Sequence, residues 1–220
     1  MNEIVNYYDT LASTYDENRF NNTYGQFIDN QERKILNKLL TNKNEIILDL
    51  ACGTGRLLNY ASLGVDASRA MVEISKAKFP EKTILLCEAH QLKIEDNSID
   101  TIISFHFFMH LEEKKIDAIL EECNRILKKN GRIIFDIPSR KRRKLLGYKN
   151  KDWHGAKSFS IGDLKLKPNF KLKKTIGFLF LPIHRFPKFC RKFLIELDSL
   201  LAVSFLKEYS SYLVIEFEKK

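Results

Sequence analysis

The apolar positions of this chain change period several times, and each change marks an element. Ile46 to Leu50 is a short apolar run without alternation, as a strand covered on both faces requires. Thr83 to Cys87, Ile99 to Phe105 and Arg132 to Ile137 read the same way. Helical spacing predicts a buried stripe of Phe27, Ile28, Ile35, Leu36, Leu39 and Leu40 over Tyr24 to Leu40. It predicts a second of Ile116, Ile119, Leu120, Cys123, Ile126 and Leu127 over Glu112 to Lys128. Residues 2–20 form a first helix in this reading, with Tyr7, Tyr8, Leu11, Tyr15 and Phe20 near one face and Asp9 and Asp16 beside them.

The connections fit the same plan. Gly53 and Gly55 free the backbone behind Leu50 for a tight turn, after which Arg56 to Ala61 leaves room for barely two helical turns. Gly64-Val-Asp66 ends a second strand, and Ser68 caps a helix over Arg69 to Lys78. Asn130-Gly131 closes the helix that ends in Lys128, and Pro138 stops the fifth strand. Strands and helices alternating at this spacing specify an α/β doubly wound, mostly parallel sheet with helices on both faces. Further on, a short helix over Ser160 to Lys167, an alternating stretch over Phe170 to Phe180, a helix over Pro187 to Ser204 and a strand over Tyr212 to Phe217 complete a seven-stranded sheet. Its last strand is expected to be antiparallel. One domain over 1–220 is the expectation: an N-terminal helical lid or cap (1–44), a binding core (45–138) and a region completing the sheet (139–220).

Charge divides the chain differently. The net charge of +9 conceals 17 Lys and Arg against two acids between Ser139 and Lys192, while the remainder carries 20 bases and 26 acids. An acidic core thus bears a basic region that also holds Trp153, Phe159, Phe178, Phe180, Phe186, Phe189 and Phe193. The four cysteines are dispersed, without a CxxC pair or a Cys/His cluster at zinc spacing, so neither a disulfide framework nor a bound metal is expected. The first residues carry no basic and apolar leader, which predicts a cytoplasmic chain.

Candidate chemistry concentrates behind the first strand. Asp49 is a charge in an otherwise apolar strand, at the edge where open α/β sheets place ligands. Asp66, at the end of the second strand, is placed to accept hydrogen bonds from a ribose diol. A dinucleotide site is disfavoured: Leu58 stands where the third glycine of that fingerprint belongs, and Asp49 would repel a pyrophosphate. The ordered set Leu48-Asp-Leu-Ala-Cys-Gly-Thr-Gly55, Gly64-Val-Asp66-Ala-Ser, Glu88-Ala-His, Asp100-Thr-Ile-Ile-Ser104 and Arg125-Ile-Leu-Lys-Lys-Asn-Gly-Arg-Ile-Ile134 resembles the successive motifs of the class I S-adenosylmethionine-dependent methyltransferases, whose fold is Rossmann-like. The resemblance covers roughly residues 5 to 138 and the tail only in plan.

The resemblance implies S-adenosyl-L-methionine as cofactor. By it, Asp49, Ala51, Gly53 and Gly55 would hold the methionyl end, and Asp66 with Ala67 the ribose. Met71, Glu88 and Ala89 would address the adenine, and Ser104 and Phe105 would lie near the sulfonium. Tyr15 has two readings, a packing residue of the first helix or a lid over the cofactor. The chain departs from the family in Glu88 and His90 and in the short stretch from Gly55 to Asp66.

The acceptor is less defined. His106 and His110, in the aromatic loop after the fourth strand, are candidate general bases, with His154 and His184 behind them. The expected acceptor is small or lipid-linked and anionic. A peripheral contact with an anionic membrane through 139–192, at the inner membrane surface, is the accompanying expectation. Nucleic acid is the less favoured acceptor, since no base-methylation motif is present, and a non-catalytic cofactor-binding protein is the third reading. The run Arg140-Lys-Arg-Arg-Lys144 reads as substrate contact, membrane contact or solvated charge, and no oligomeric state follows from the sequence.

Overall fold

Strands form at Ile47–Leu50 (β1), Leu63–Asp66 (β2), Thr83–Leu86 (β3), Ile99–Ser104 (β4), Leu127–Pro138 (β5), Phe170–Phe178 (β6) and Tyr212–Lys219 (β7). The computed structural model describes residues 2–149, 157–164 and 167–220. Trp153 and His154 lie outside them. The seven strands make one sheet in the order β3-β2-β1-β4-β5-β7-β6. β1 to β5 run parallel, and β7 enters antiparallel between β5 and β6. The order reverses between β1 and β4, which opens a crevice at the C-terminal ends of those strands.

The central strands are apolar on both faces because both faces are covered. On one side Leu48, Leu50, Ile102, Ile133 and Phe135 pack against Ile116, Ile119, Leu120 and Cys123 of α5 (Glu113–Ile126). On the other, Ile47, Ile103, Ile134 and Val214 pack against Ile28, Ile35, Leu36 and Leu39 of α3 (Thr23–Leu39). α4 (Arg69–Lys78) starts at Ser68, whose hydroxyl accepts the Met71 N–H, as its sequence requires.

Several boundaries differ from expectation. The first helix is two, α1 (Asn2–Leu11) and α2 (Tyr15–Phe20), separated by a single 3₁₀ turn at Ala12–Thr14. The short helix after the glycine turn shrinks to a 3₁₀ turn at Leu58–Tyr60, because Ser62 must already donate to Ile47 to start β2. α5 ends at Ile126 rather than at Asn130-Gly131. The carbonyls of Arg125 and Ile126 accept from Asn97 and Ser98, which draws the chain straight into β5. Asn130 then takes a left-handed φ of 61° where β5 is irregular against β4. The basic run folds as α6 (Arg140–Leu145), capped by the Ser139 hydroxyl. The later helices are α7 (Ile161–Leu164) and α8 (Lys188–Val203).

Candidate functional site

β1 ends in a turn whose backbone no ordinary strand could follow. Ala51, Gly53 and Gly55 all have positive φ, at 61°, 54° and 87°. A Cβ on Gly53 would meet nothing within 4 Å, so its backbone faces open space, whereas a Cβ on Gly55 would stand 2.9 Å from the Phe79 ring. Gly53 therefore serves close approach, and Gly55 serves packing beneath the turn. Asp66 fixes the arrangement from β2: one carboxylate oxygen accepts the Gly53 N–H at 2.8 Å, the other the Ser68 N–H at 2.9 Å.

The N-terminal helices latch onto this turn. Asp9 of α1 accepts from the Ser68 hydroxyl at 2.6 Å and from the Ala70 N–H at 3.1 Å, adding a carboxylate at the start of α4. Asp16 of α2 accepts from the Thr54 hydroxyl and pairs with Lys78. Tyr8 and His110 approach to 3.2 Å across the opening. Beneath these helices lies an open crevice with a cavity volume of about 100 Å³. Tyr15, Ala51, Gly53, Asp66, Ala67, Met71, Ala89, Phe105, His106 and His110 line it. A narrower recess beside it is lined by Tyr15, Asp49, Gly53, Arg56 and His106. Burial pushes the Asp49 carboxyl up to about 7, against the lowering influence of Arg56.

Four expected residues stand elsewhere. Gly55 faces Phe79. The Glu88 carboxylate turns outward, 3.3 Å from His90. Ser104 is fully buried and donates its hydroxyl to the Leu50 carbonyl, so it ties β4 to β1 behind the crevice wall. His184 packs against Tyr24, with ring centres 4.4 Å apart, and lines neither recess.

The floor between the two recesses holds a charged cluster. His106 has a positive φ of 59°, and its backbone N–H is held by Asp136 at 2.6 Å. Its Nε2 lies 2.7 Å from Glu32 of α3, and its Nδ1 lies 3.5 Å from Asp136 of β5, longer than a hydrogen bond. Arg56 bridges Glu32 at 2.7 Å and Asp29 at 2.6 Å, with its guanidinium over the Phe20 ring. Burial disfavours charge on Glu32, but His106 and Arg56 outweigh it and hold the carboxyl below its usual range. Burial likewise opposes charge on His106, yet Glu32 and Asp136 raise its pKa. Burial lifts Asp136 to about 6.

Glu32, His106 and Asp136 offer ligand atoms within 4.8 Å of one another. The two acids nevertheless address opposite ring nitrogens, and Arg56 already occupies Glu32. Each ring nitrogen of His106 thus faces its own carboxylate. A sequence signal for Glu32 existed, an acid inside the apolar stripe of α3 between Ile28 and Ile35. Asp136 had a similar one, an acid near the end of an apolar strand, as Asp49 is in β1.

Residues 48–135 match the model of a methyltransferase domain. An uncharacterised Methanocaldococcus jannaschii protein is 36% identical over 137 residues, covering 61% of this chain and 51% of its own length. A Thermotoga maritima demethylmenaquinone methyltransferase is 31% identical over 137 residues, covering 58% of each. The crystal structure of an Archaeoglobus fulgidus SAM-dependent methyltransferase superposes with a TM-score of 0.64 at 16% identity, over 93% of this chain and 98% of that one. Over residues 48–135 the chain is thus similar to methyltransferase domains, and its fold is that of the Archaeoglobus structure. It spans between 51% and 58% of the length of the two relatives named.

The Archaeoglobus protein is named as SAM-dependent, and the crevice of this chain fits S-adenosylmethionine. Asp66 keeps acceptor capacity beyond its two backbone bonds for a ribose diol. Val65, Met71, Ala89 and Leu111 supply apolar walls for an adenine. Asp49, buried and discouraged from ionising, gains a partner if an ammonium enters its recess. Open space at Gly53 leaves the backbone free to approach the ligand.

Proposed function

We propose that this chain transfers a methyl group from S-adenosylmethionine to the hydroxyl of a small or lipid-linked acceptor, with His106 receiving the displaced proton. One observation carries the reading: His106 is pinned at the crevice floor between Glu32 and Asp136, with its Nδ1 side the looser one. When bound, the cofactor supplies an electrophilic methyl on a sulfonium.

The residues of the chain do the rest. Asp49, Gly53 and Asp66 hold and orient the donor, which supports in-line attack by positioning. Glu32 fixes the imidazole through Nε2, so Nδ1 is the atom that takes up the acceptor proton. α1 and α2, latched through Asp9 and Asp16, lie over the crevice. His110, held near Tyr8, belongs to that closure rather than to the proton path. Tyr8, Tyr15, Phe105, Phe107 and Leu111 give the crevice an aromatic, apolar lining. This supports an acceptor with an apolar body, as does the relative named for demethylmenaquinone. Among the described residues, the bases of the 139–192 region stand outside the lining, so anionic character in the acceptor would be met at the rim.

Calorimetry with S-adenosylhomocysteine tests the donor site. Tight binding that Asp66→Ala weakens by about 10–100-fold is expected, the loss of hydrogen bonds to a charged acceptor. No heat with the intact chain would remove the cofactor from the reading. A labelled-methyl screen over lipid, small-molecule and nucleic-acid pools tests the acceptor class. Label in the nucleic-acid pool alone would replace the proposed class, and label in no pool would leave a cofactor-binding protein.

A further inference from the structure

The most exposed large apolar side chains among the described residues gather on α8 and beside it. Phe189 is 90% exposed, Phe205 89% and Phe193 69%, with Leu200 and Val203 also exposed. Phe189, Phe193, Leu200 and Val203 recur at the spacing of one helix face. Asp198 and Ala202, on the opposite face, are buried, and Asp198 accepts the Leu181 N–H at 2.7 Å. The helix is thus anchored by its inner face, and its apolar outer stripe has no partner within the described residues. A stripe of this size on a folded chain marks an interaction surface.

Charge identifies the partner. Lys192 is exposed on the stripe, and Arg185 is exposed just before the helix. α6 meets the turn Lys207–Tyr209 that follows α8, where Arg142 donates to the Tyr209 carbonyl at 3.2 Å. α6 itself exposes Lys144, Leu145 and Leu146. Arg140 and Lys141 are spent on Asp163 and Glu208. Even so, bases outnumber acids 17 to two between Ser139 and Lys192. Glu196 shares the apolar face and is exposed. A carboxylate there is tolerable among hydrated lipid headgroups and costly in a dry seam between proteins.

We propose that α8 is a peripheral membrane-binding element. Phe189, Phe193 and Phe205 insert at the headgroup–acyl boundary of an anionic bilayer, and Arg185, Lys192 and Lys144 contact its headgroups. No helix among the described residues is long and apolar enough to cross a membrane, so the contact is one of lying on the surface. The segment leading into α8 leans on the site, because His184 packs on Tyr24 of the helix that carries Glu32. The surface stands apart from the transfer chemistry and is tested separately.

The test is co-sedimentation of the full chain with vesicles of phosphatidylglycerol and phosphatidylcholine, or of phosphatidylcholine alone, at low salt. The chain should pellet with the anionic vesicles, roughly tenfold less with neutral ones, and less again as salt is raised. Phe189→Ala with Phe193→Ala should lower partitioning roughly tenfold or more. Arg185→Glu with Lys192→Glu should abolish the preference for anionic lipid. Both variants should bind S-adenosylhomocysteine as the parent does, which shows that they fold. Three outcomes overturn the proposal. The parent does not pellet with anionic vesicles; the double Phe variant pellets as the parent does; or sedimentation velocity shows a dimer that the Phe variant dissolves, making a second copy the occupant.

Discussion

Arg56→Met puts the buried charge cluster to a quantitative test. Arg56 is the guanidinium partner of Glu32, whose side chain is 0% exposed, and it also holds Asp29. Methionine of similar length leaves Glu32 with His106 alone. A stranded buried carboxylate can escape by taking up a proton, and that escape caps the cost. From its ordinary value of 4.5 to pH 7, protonating Glu32 costs roughly 3 kcal/mol at about 1.4 kcal/mol per pH unit. Loss of the contact with the Phe20 ring, 4.5 Å from the guanidinium, adds about 0.5–1 kcal/mol at any pH.

The sign follows. In the parent, Glu32 sits below its ordinary value, so its contribution is present above pH 4.5 and lost as pH falls further. In the variant the folded carboxyl rises above that value, so stability falls as pH climbs from 4.5 upward. The deficit should therefore be roughly 4 kcal/mol at pH 7 and about 1–2 kcal/mol at pH 5. For a chain of this size that is a loss of about 8–16 °C in Tm at pH 7. Urea and thermal unfolding followed by circular dichroism at the two pH values measure it. Adding Glu32→Gln to the variant should recover much of the loss at pH 7. A deficit equal at both pH values, or below about 1 kcal/mol at pH 7, would show that Glu32 is not a desolvated charge held by Arg56.

Asp49, lifted to about 7 by burial, holds a proton that the unfolded chain loses near 3.8, so stability should fall as pH rises across that interval. An ammonium needs the ionised form, so S-adenosylhomocysteine affinity should climb by up to about tenfold per unit below pH 7 and then level. Asp49→Asn should bind weakly and without that slope, as calorimetry at several pH values would show. His106→Gln should lower labelled-methyl transfer by about 10²–10⁴-fold while cofactor binding persists. Because Glu32 and Asp136 raise His106, the base is freed, and the parent rate should increase, only at pH above the ordinary 6.5, and the variant should lack that rise. Gly25→Ala places a Cβ 1.8 Å from the Arg19 carbonyl oxygen, forcing α2 off α3. A loss of about 1–3 kcal/mol in thermal unfolding is expected, with weaker closure by Tyr15.

The sequence by itself determined the sheet and placed Asp49, Gly53 and Asp66 at its crevice edge. The apolar runs behind Ile47–Leu50, Ile99–Ser104 and the second half of β5, 132–137, are strands because they are covered twice, a pattern that survives without coordinates. Asp49, Gly53 and Asp66 were legible because strand ends and glycine turns are local features with fixed offsets. Other local signals were overruled by partners distant in sequence. Asn130-Gly131 looked like a helix end, but bonds from Asn97 and Ser98 had already claimed the preceding carbonyls for the sheet. Glu88 lay in the right loop, yet only the fold decided that its carboxylate points to His90 and solvent.

The buried cluster around His106 belonged to the tertiary structure. Glu32, His106 and Asp136 come from a helix, a loop and a strand, and their grouping is not recognisable until the fold closes them to within 4.8 Å. The pKa changes that give them chemistry come from burial and from one another, which no local window contains. The basic run at 140–144 shows the same division. Its charge is read from the chain, but the fold spends Arg140 and Lys141 on Asp163 and Glu208 and leaves the outward face to the phenylalanines of α8.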